Sequence, residues 1–225
     1  MLRRVANPSN SSELIQALIW AGAQASRSGL IIGSGGNLSA RLPGADECVV
    51  TAGGTWLDDL TEDDFSIVRL DGTVVGGNPQ PSSEVKLHLA SYCARTDVNA
   101  VVHLHPQMSV LLDALGHEIR LLSIDHVFYV RQVVSTPWIA SGTDELADAG
   151  AEALARADVV ILGNHGCSIV ADNIELAYKR ASNLEEAATA TYRALTLGDA
   201  TTECPPAYRE LLEGRASDPL LVDRH

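Results

Sequence analysis

Apolar residues fall at helical spacing in some stretches of this chain and in short β-branched runs in others. Leu14, Ile15, Leu18, Ile19, Gly22 and Ala25 recur at the intervals of one helix face. Ser11 or Ser12 is placed to cap that helix near Glu13, and Gly29 to end it. Leu176, Tyr178, Ala181, Leu184, Ala187, Ala188 and Ala190 give a longer helix from Asn173 to Leu197, stopped by Gly198. Further helices are predicted over 84–96 behind Ser82 or Ser83, over 107–115, over 143–155 behind Thr143, and over 205–212. The segments 37–42, 47–51, 66–70, 73–75, 100–105, 119–123, 159–162 and 167–170 read as strands. Asp71-Gly72 joins two of them in a hairpin, so the first half forms an antiparallel meander. Residues 125–129 form a loop or helix over the site, and 137–142 an extended connection.

One strand carries chemistry. In Val101-Val102-His103-Leu104-His105-Pro106 the β-branched residues favour extension and the proline ends it. Side chains at i and i+2 share a face, so His103 and His105 project together. Two imidazoles on an otherwise apolar strand are poor core material and make sense as ligands of one metal ion. His165 follows the apolar run Val159–Leu162 and is the third candidate. A lone histidine at a strand end is more often a hydrogen-bonded core or surface residue. His165 gains weight because it also ends a buried-type strand, where ligands gather in layered α/β folds. His88 reads as a helix-surface or packing residue.

Two glycine turns offer backbone amides. Gly33-Ser34-Gly35-Gly36 leads into Asn37 and Ser39, and Ala52-Gly53-Gly54-Thr55 follows the second strand. Neither matches a P-loop or a Rossmann fingerprint, but both can approach an anion closely. Ser82 and Ser83 stand at a helix N-terminus, a third place suited to negative charge, with Glu84 at its edge.

Composition narrows the function. The 225 residues carry a formal net charge of −13 and a pI near 4.8, which argues against nucleic acid. A hydrophobic fraction of 46 % and a mean hydropathy of +0.06 allow a large core. The four cysteines form no CxxC pair, and no stretch has the length of a membrane span or of a signal-peptide core. A cytoplasmic protein with reduced thiols is expected. Disorder is expected beyond Gly214.

Five motifs in order resemble the class II aldolase/adducin family: Gly35-Gly36-Asn37-Leu38-Ser39, Thr51-Ala52-Gly53-Gly54, Pro81-Ser82-Ser83-Glu84, His103-Leu104-His105 and Asn164-His165-Gly166. The resemblance implies a single domain over 1–225, with a core of about 12–198 and a tail from 199. Its fold would be α/β, three α/β/α layers around a mainly antiparallel sheet. It implies a homotetramer with active sites between protomers and no membrane partner. His103, His105 and His165 would hold Zn2+, or another divalent ion such as Mn2+ or Co2+. Glu84 would move a proton and touch the metal at rest. Gly36, Asn37, Gly53, Gly54, Ser82 and Ser83 would receive the substrate phosphate.

The implied function is a zinc-dependent aldolase acting on a small phosphorylated ketose through a metal-stabilised enediolate. Decarboxylases, dehydratases and epimerases of the family, acting on a small 3-oxo acid or sugar phosphate, are the alternative. Tyr129 or His126 would protonate the departing group, with Tyr208 a third candidate. Adducin-like scaffolds tend to lose the metal ligands, and all four are present here. One departure stands out: Gly53 occupies the position where the aldolases usually carry Ser or Thr, so one phosphate hydroxyl is missing.

Overall fold

The computed structural model describes residues 8–215. Eight strands form one sheet: β1 (Asn37–Ala40), β2 (Glu47–Thr51), β3 (Phe65–Arg69), β4 (Val74–Gly77), β5 (Ala100–Leu104), β6 (Val133–Thr136), β7 (Val159–Leu162) and β8 (Gly166–Ala171). Their order is β4-β3-β2-β1-β5-β8-β7-β6. All neighbours are antiparallel except β6 and β7. The expected meander is β1 to β4, and β5 closes on its β1 edge.

Six helices cover the sheet: α1 (Ser11–Arg27), α2 (Val85–Ala94), α3 (Gln107–Ala114), α4 (Asp144–Leu154), α5 (Ile174–Thr196) and α6 (Pro206–Arg215). Strand alternation sorts the core into two layers. Leu38, Val102, Leu104, Ile161 and Ile169 pack with α1 and α5. Val50, Val101, Val160, Leu162 and Val170 pack with α2 and α4. Each fully buried leucine, such as Leu18 or Leu104, contributes roughly 1.5–3 kcal/mol. The architecture is α/β, three layers around a mainly antiparallel sheet, as expected.

Several local expectations change. Asn10 caps α1, its side-chain oxygen accepting the Glu13 N–H at 3.0 Å, so neither Ser11 nor Ser12 is the cap. Glu84 itself stands at the N-cap of α2, and Ser82 Oγ accepts its N–H at 3.2 Å. Residues 119–123 are no strand. The Arg120 N–H donates to Thr191 Oγ1, and the Leu121 carbonyl accepts from Cys204 N–H. An apolar run whose backbone bonds go to a helix side chain and a loop looks like a strand in sequence only.

The strand that the pattern missed is β6, which joins the edge in parallel. Ahead of it, His126–Val130 forms a short π-helical turn. That turn ends at Arg131 with φ +60°, where Gln132 N–H closes onto the Val130 carbonyl at 2.6 Å. The tail helix α6 is present. The segment after it, for which disorder is expected, lies outside the described residues. None of the described helices is long and apolar enough to cross a membrane.

Candidate metal centre

The ligand candidates come from three places that the sheet brings together. His103 sits near the end of β5, and His105 follows just past its end. Pro106 then starts α3, whose first turn is tied down by Glu185. That carboxylate accepts the Met108 and Ser109 N–H groups at 2.8 and 2.9 Å and the Ser109 hydroxyl at 2.7 Å. His165 lies in the turn from β7 to β8, where Asn164 is left-handed at φ +54°. The glycines on either side are sterically required. A Cβ at Gly163 would lie 2.7 Å from the Thr136 carbonyl oxygen, and one at Gly166 would lie 2.5 Å from the Leu104 oxygen and His105 Cδ2.

The four side chains converge. His103 Nε2 is 3.0 Å from His105 Nε2 and 3.0 Å from Glu84 Oε2. His165 Nε2 is 3.3 Å from Glu84 Oε1. The imidazole centroids are 4.8 to 5.1 Å apart. One ligand atom from each of the four residues lies within 4.8 Å of all the others. Burial lowers His105 to about 4 and also lowers His165, with the neighbouring His103 adding in both cases. Both rings are therefore neutral at pH 7 and offer lone pairs. Burial alone would raise the Glu84 pKa. Hydrogen bonds from His103, Asn37 and Ser141, with the charge of His103, outweigh it and hold the carboxyl well below the usual range.

This donor set fits a divalent cation. A tetrahedral zinc ion with ligands at about 2.0–2.1 Å separates its ligand atoms by roughly 3.3 Å, close to the spacings found here. At most one proton can lie between His103 Nε2 and His105 Nε2. Their lone pairs otherwise oppose each other, and a cation among them removes that conflict. Three imidazoles and one carboxylate match zinc, manganese or cobalt better than calcium or magnesium, which favour oxygen.

Behind the cluster lies a buried polar chain. Asn37 stands opposite His103 in the β1–β5 register. Its amide donates to Glu84 Oε2 at 3.0 Å, and its oxygen meets His88 Nε2 at 2.5 Å. His88 Nδ1 meets Ser39 Oγ at 2.6 Å, and Ser39 Oγ meets the Tyr92 hydroxyl at 2.7 Å. The Arg41 guanidinium sits 4.7 Å from the Tyr92 ring centre. Glu84 Oε1 also accepts the Ser141 hydroxyl at 2.8 Å. His88 is thus no surface residue. It is fully buried, which lowers its pKa to about 3, with the positive field of His103 adding to the effect.

The sequence missed this chain, although it carries a signal. Glu84, His88 and Tyr92 recur every four residues, a polar stripe along one face of α2.

The anion-site candidates divide. A Cβ at Gly35 would lie 2.8 Å from His105 Nδ1, and one at Gly36 would lie 2.7 Å from the His103 carbonyl oxygen. The first glycine turn therefore lets the loop press against the two histidines. Gly53 N–H is taken by the Gln80 carbonyl at 2.9 Å. Gly53, Gly54 and Ser83 are exposed, while Ser82 is buried beside Glu84.

The candidate acids lie on the α5 side. His126 Nδ1 accepts the N–H groups of Leu122 and Ser123, and its Nε2 faces the Glu186 carboxylate. Both of its nitrogens are engaged. Tyr129 offers its carbonyl to Arg180 and stacks edge-on against Phe128. Tyr208 packs against the α1/α5 core. A cleft of about 440 Å3 between Arg120, Arg131 and Arg209 includes none of the four cluster residues. All four cysteines are free, and burial pushes Cys48 and Cys167 up to about 12, so neither is a poised nucleophile.

A mainly antiparallel α/β/α sandwich with three histidines and a glutamate converging at the ends of its central strands defines a class II aldolase-type lyase. The chain belongs to that family: the profile of the Class II Aldolase and Adducin N-terminal domain matches residues 16–192. It is 34 % identical over 172 residues to 5-deoxy-D-ribulose 1-phosphate aldolase of Bacillus thuringiensis serovar kurstaki, covering 76 % of this chain and 81 % of that one. It is 33 % identical to 3-oxo-tetronate 4-phosphate decarboxylase of Escherichia coli O6:H1, covering 71 % and 77 %. A solved L-fuculose 1-phosphate aldolase superimposes with a TM-score of 0.84 at 28 % identity, covering 92 % and 97 %.

Proposed function

We propose that this protein is a zinc-dependent aldolase that breaks or forms a C–C bond in a small phosphorylated ketose. One observation carries the proposal: an ionised, buried Glu84 held against three converging imidazoles. His103, His105 and His165 would hold the cation, with Glu84 as a fourth donor in the absence of substrate. When bound, the cation supplies a Lewis acid that draws charge onto a substrate carbonyl oxygen.

The chain's own groups do the rest. In the cleavage direction the hydroxyl on the second carbon from the carbonyl gives up its proton. The bond between that carbon and the carbon next to the carbonyl breaks, and the electron pair stays on the carbon next to the carbonyl. Glu84 then delivers a proton to that carbon, and in synthesis removes it. Tyr129 is assigned the proton at the departing oxygen, because both nitrogens of His126 are engaged. Ser83, Gly54 and the exposed edge of Gly53 are assigned to the phosphate, which fixes the far end of the substrate. Gly36, Asn37 and Ser82 form the wall behind them.

The decisive experiment measures bound metal by elemental analysis. The metal-loaded protein is then tested for cleavage of ketose 1-phosphates and for deuterium exchange into dihydroxyacetone phosphate, the ketone half such cleavage releases. Failure to bind any divalent metal, or no exchange in the loaded protein, would defeat the proposal.

A second reading is supported by the decarboxylase relative and by Gly53, which lacks the hydroxyl usual in the aldolases. Carbon dioxide release from a phosphorylated 3-oxo acid, without aldehyde release from ketoses, would establish it. We also propose a homotetramer in the cytoplasm. Exposed Ile32, Trp56 and Trp138 supply apolar surface for self-association, and the free cysteines suit a reducing compartment. Light scattering on the purified protein checks the assembly.

A further inference from the structure

The buried chain behind Glu84 has only one consistent set of proton positions. An ionised carboxylate only accepts, so Asn37 must turn its NH2 toward Glu84 Oε2. That leaves Asn37 Oδ1 facing His88 Nε2, which must therefore carry a proton. In a neutral ring Nδ1 is then an acceptor, so Ser39 donates to it and in turn accepts from Tyr92. Tyr92, Ser39, His88, Asn37 and Glu84 form a line of hydrogen bonds that all point toward the carboxylate.

We propose that His88 is a positioning residue for Glu84: its Nε2–H, held in that tautomer by Ser39 and Tyr92, locks the Asn37 amide so that its NH2 faces the carboxylate. The proposal rests on the assignment of Glu84 as proton carrier. Without the His88 donor, Asn37 Oδ1 loses its partner and the far end of the amide is no longer anchored. The amide could then tilt with its NH2, and the carboxylate it holds would no longer be fixed against the imidazoles. The chain also decides what Asn37 is for. One donor and the acceptor of its amide are occupied, so it serves the carboxylate.

The polar chain is costly to bury in an otherwise apolar layer. Each member left unpaired would cost roughly 1–3 kcal/mol, so the network must be complete to persist. A row of apolar residues would stabilise this layer as well, but it could not anchor the Asn37 amide. Orientation is what the polar row adds.

The test uses 15N-histidine NMR on the full, metal-loaded protein, since ring nitrogen shifts separate the two tautomers and the cation. The expected result is that the His88 ring, assigned by the signal lost in His88→Gln, has Nε2 protonated and Nδ1 accepting, unchanged across neutral pH. A ring protonated on Nδ1, or a cation, at His88 overturns the proposal.

Two variants add a functional readout. His88→Met removes the donor, and His88→Gln keeps a side-chain N–H at similar reach. His88→Met should keep its metal and its KM while slowing deuterium exchange into dihydroxyacetone phosphate by roughly 10–100-fold. His88→Gln should recover most of the loss. Equal rates for wild type and His88→Met, or no recovery in His88→Gln, would overturn it.

If His88→Met does not fold, the wild-type tautomer decides alone. If wild type exchanges no proton, the aldolase reading fails separately. The crystal structure of His88→Met then judges the positioning by whether the Glu84 carboxylate has rotated.

Discussion

Asn37 and His103 stand directly opposite each other on β1 and β5, and both contact Oε2 of Glu84 at 3.0 Å. One carboxylate oxygen thus joins the candidate ligand set to the buried chain behind it. Asn37→Asp tests that junction. The new carboxylate would face Glu84 with like charge at hydrogen-bond distance, where attraction now exists. The expected outcome is a fall in kcat of roughly 10–100-fold with KM for a phosphorylated ketose little changed. A rise in KM confined to phosphorylated substrates would instead place Asn37 in the anion site. Steady-state kinetics on matched phosphorylated and unphosphorylated ketoses reads the difference.

Glu84→Gln separates binding from proton transfer. The amide keeps its size and its one oxygen can still accept from either Asn37 or Ser141, but it cannot carry a proton at neutral pH. Three imidazoles remain to hold the cation. Metal content should stay near wild type, while deuterium exchange falls by about 100-fold or more. Elemental analysis and exchange measured on one preparation check both halves. Loss of the metal in Glu84→Gln would make Glu84 an essential ligand.

What the sequence made legible follows from range. His103 and His105 share a face because they lie two apart on one strand, so their pairing needs no tertiary knowledge. His165 was joined to them as a candidate by its place after a buried-type strand, and the order of motifs that marks the family strengthened it. The sheet layers were also legible, since β-branched runs and helical spacing are local signals.

His88 was not legible as a site residue, because its two partners are Asn37 and Ser39, about fifty residues away on another element. Ser141 was hidden for the same reason. The false strand at 119–123 shows the reverse error, where local apolarity was satisfied by Thr191 and Cys204 and not by a neighbouring strand. The glycine turn at 33–36 was recognised as special, but the neighbours that require it are the His103 backbone and the His105 ring.

The buried neutral histidines set the acid stability of the metal-free protein. His88 is lowered to about 3 and His105 to about 4. The unfolded chain protonates both near the ordinary value of about 6.5. Below that pH the unfolded state therefore binds more protons, and stability falls as pH drops. Their contribution is whole above about 6.5 and is lost down to the folded values. Each such group costs about 1.4 kcal/mol per pH unit inside its window. Thermal melts of the apoprotein should decline from pH 6.5 toward 4, and His88→Gln should flatten part of that slope. A slope unchanged in His88→Gln would mean that His88 is already charged when folded.

Gly166 makes a steric prediction about the same site. An added methyl would meet the Leu104 carbonyl, which is backbone and cannot swing aside, as well as the His105 ring. Gly166→Ala should destabilise the protein by about 1–3 kcal/mol and weaken metal binding by displacing His105. Gly54→Ala is the contrast. Its φ of +77° strains an alanine, but no neighbour lies within 4 Å. It should keep its metal. Zinc titration of both variants, beside chelator-stripped wild type, checks the difference.

Gly53 decides how the pocket handles phosphate, and a gain of function tests it. A Cβ there would meet only the Pro81 and Gln80 oxygens, at 3.4 and 3.9 Å, which is ordinary contact for a side chain. Gly53 also lies outside the left-handed glycines, so serine introduces no backbone strain. Gly53→Ser should therefore fold with stability within about 0.5 kcal/mol of wild type. Its hydroxyl would restore the donor that aldolases of this family usually carry. If a phosphorylated ketose is the substrate, KM should fall roughly 10-fold or more, by the roughly 1.5–3 kcal/mol that one hydrogen bond to a charged group supplies. An unphosphorylated ketose should show no change. An equal KM for both in wild type and variant would remove phosphate from this side of the pocket and favour a substrate anchored elsewhere.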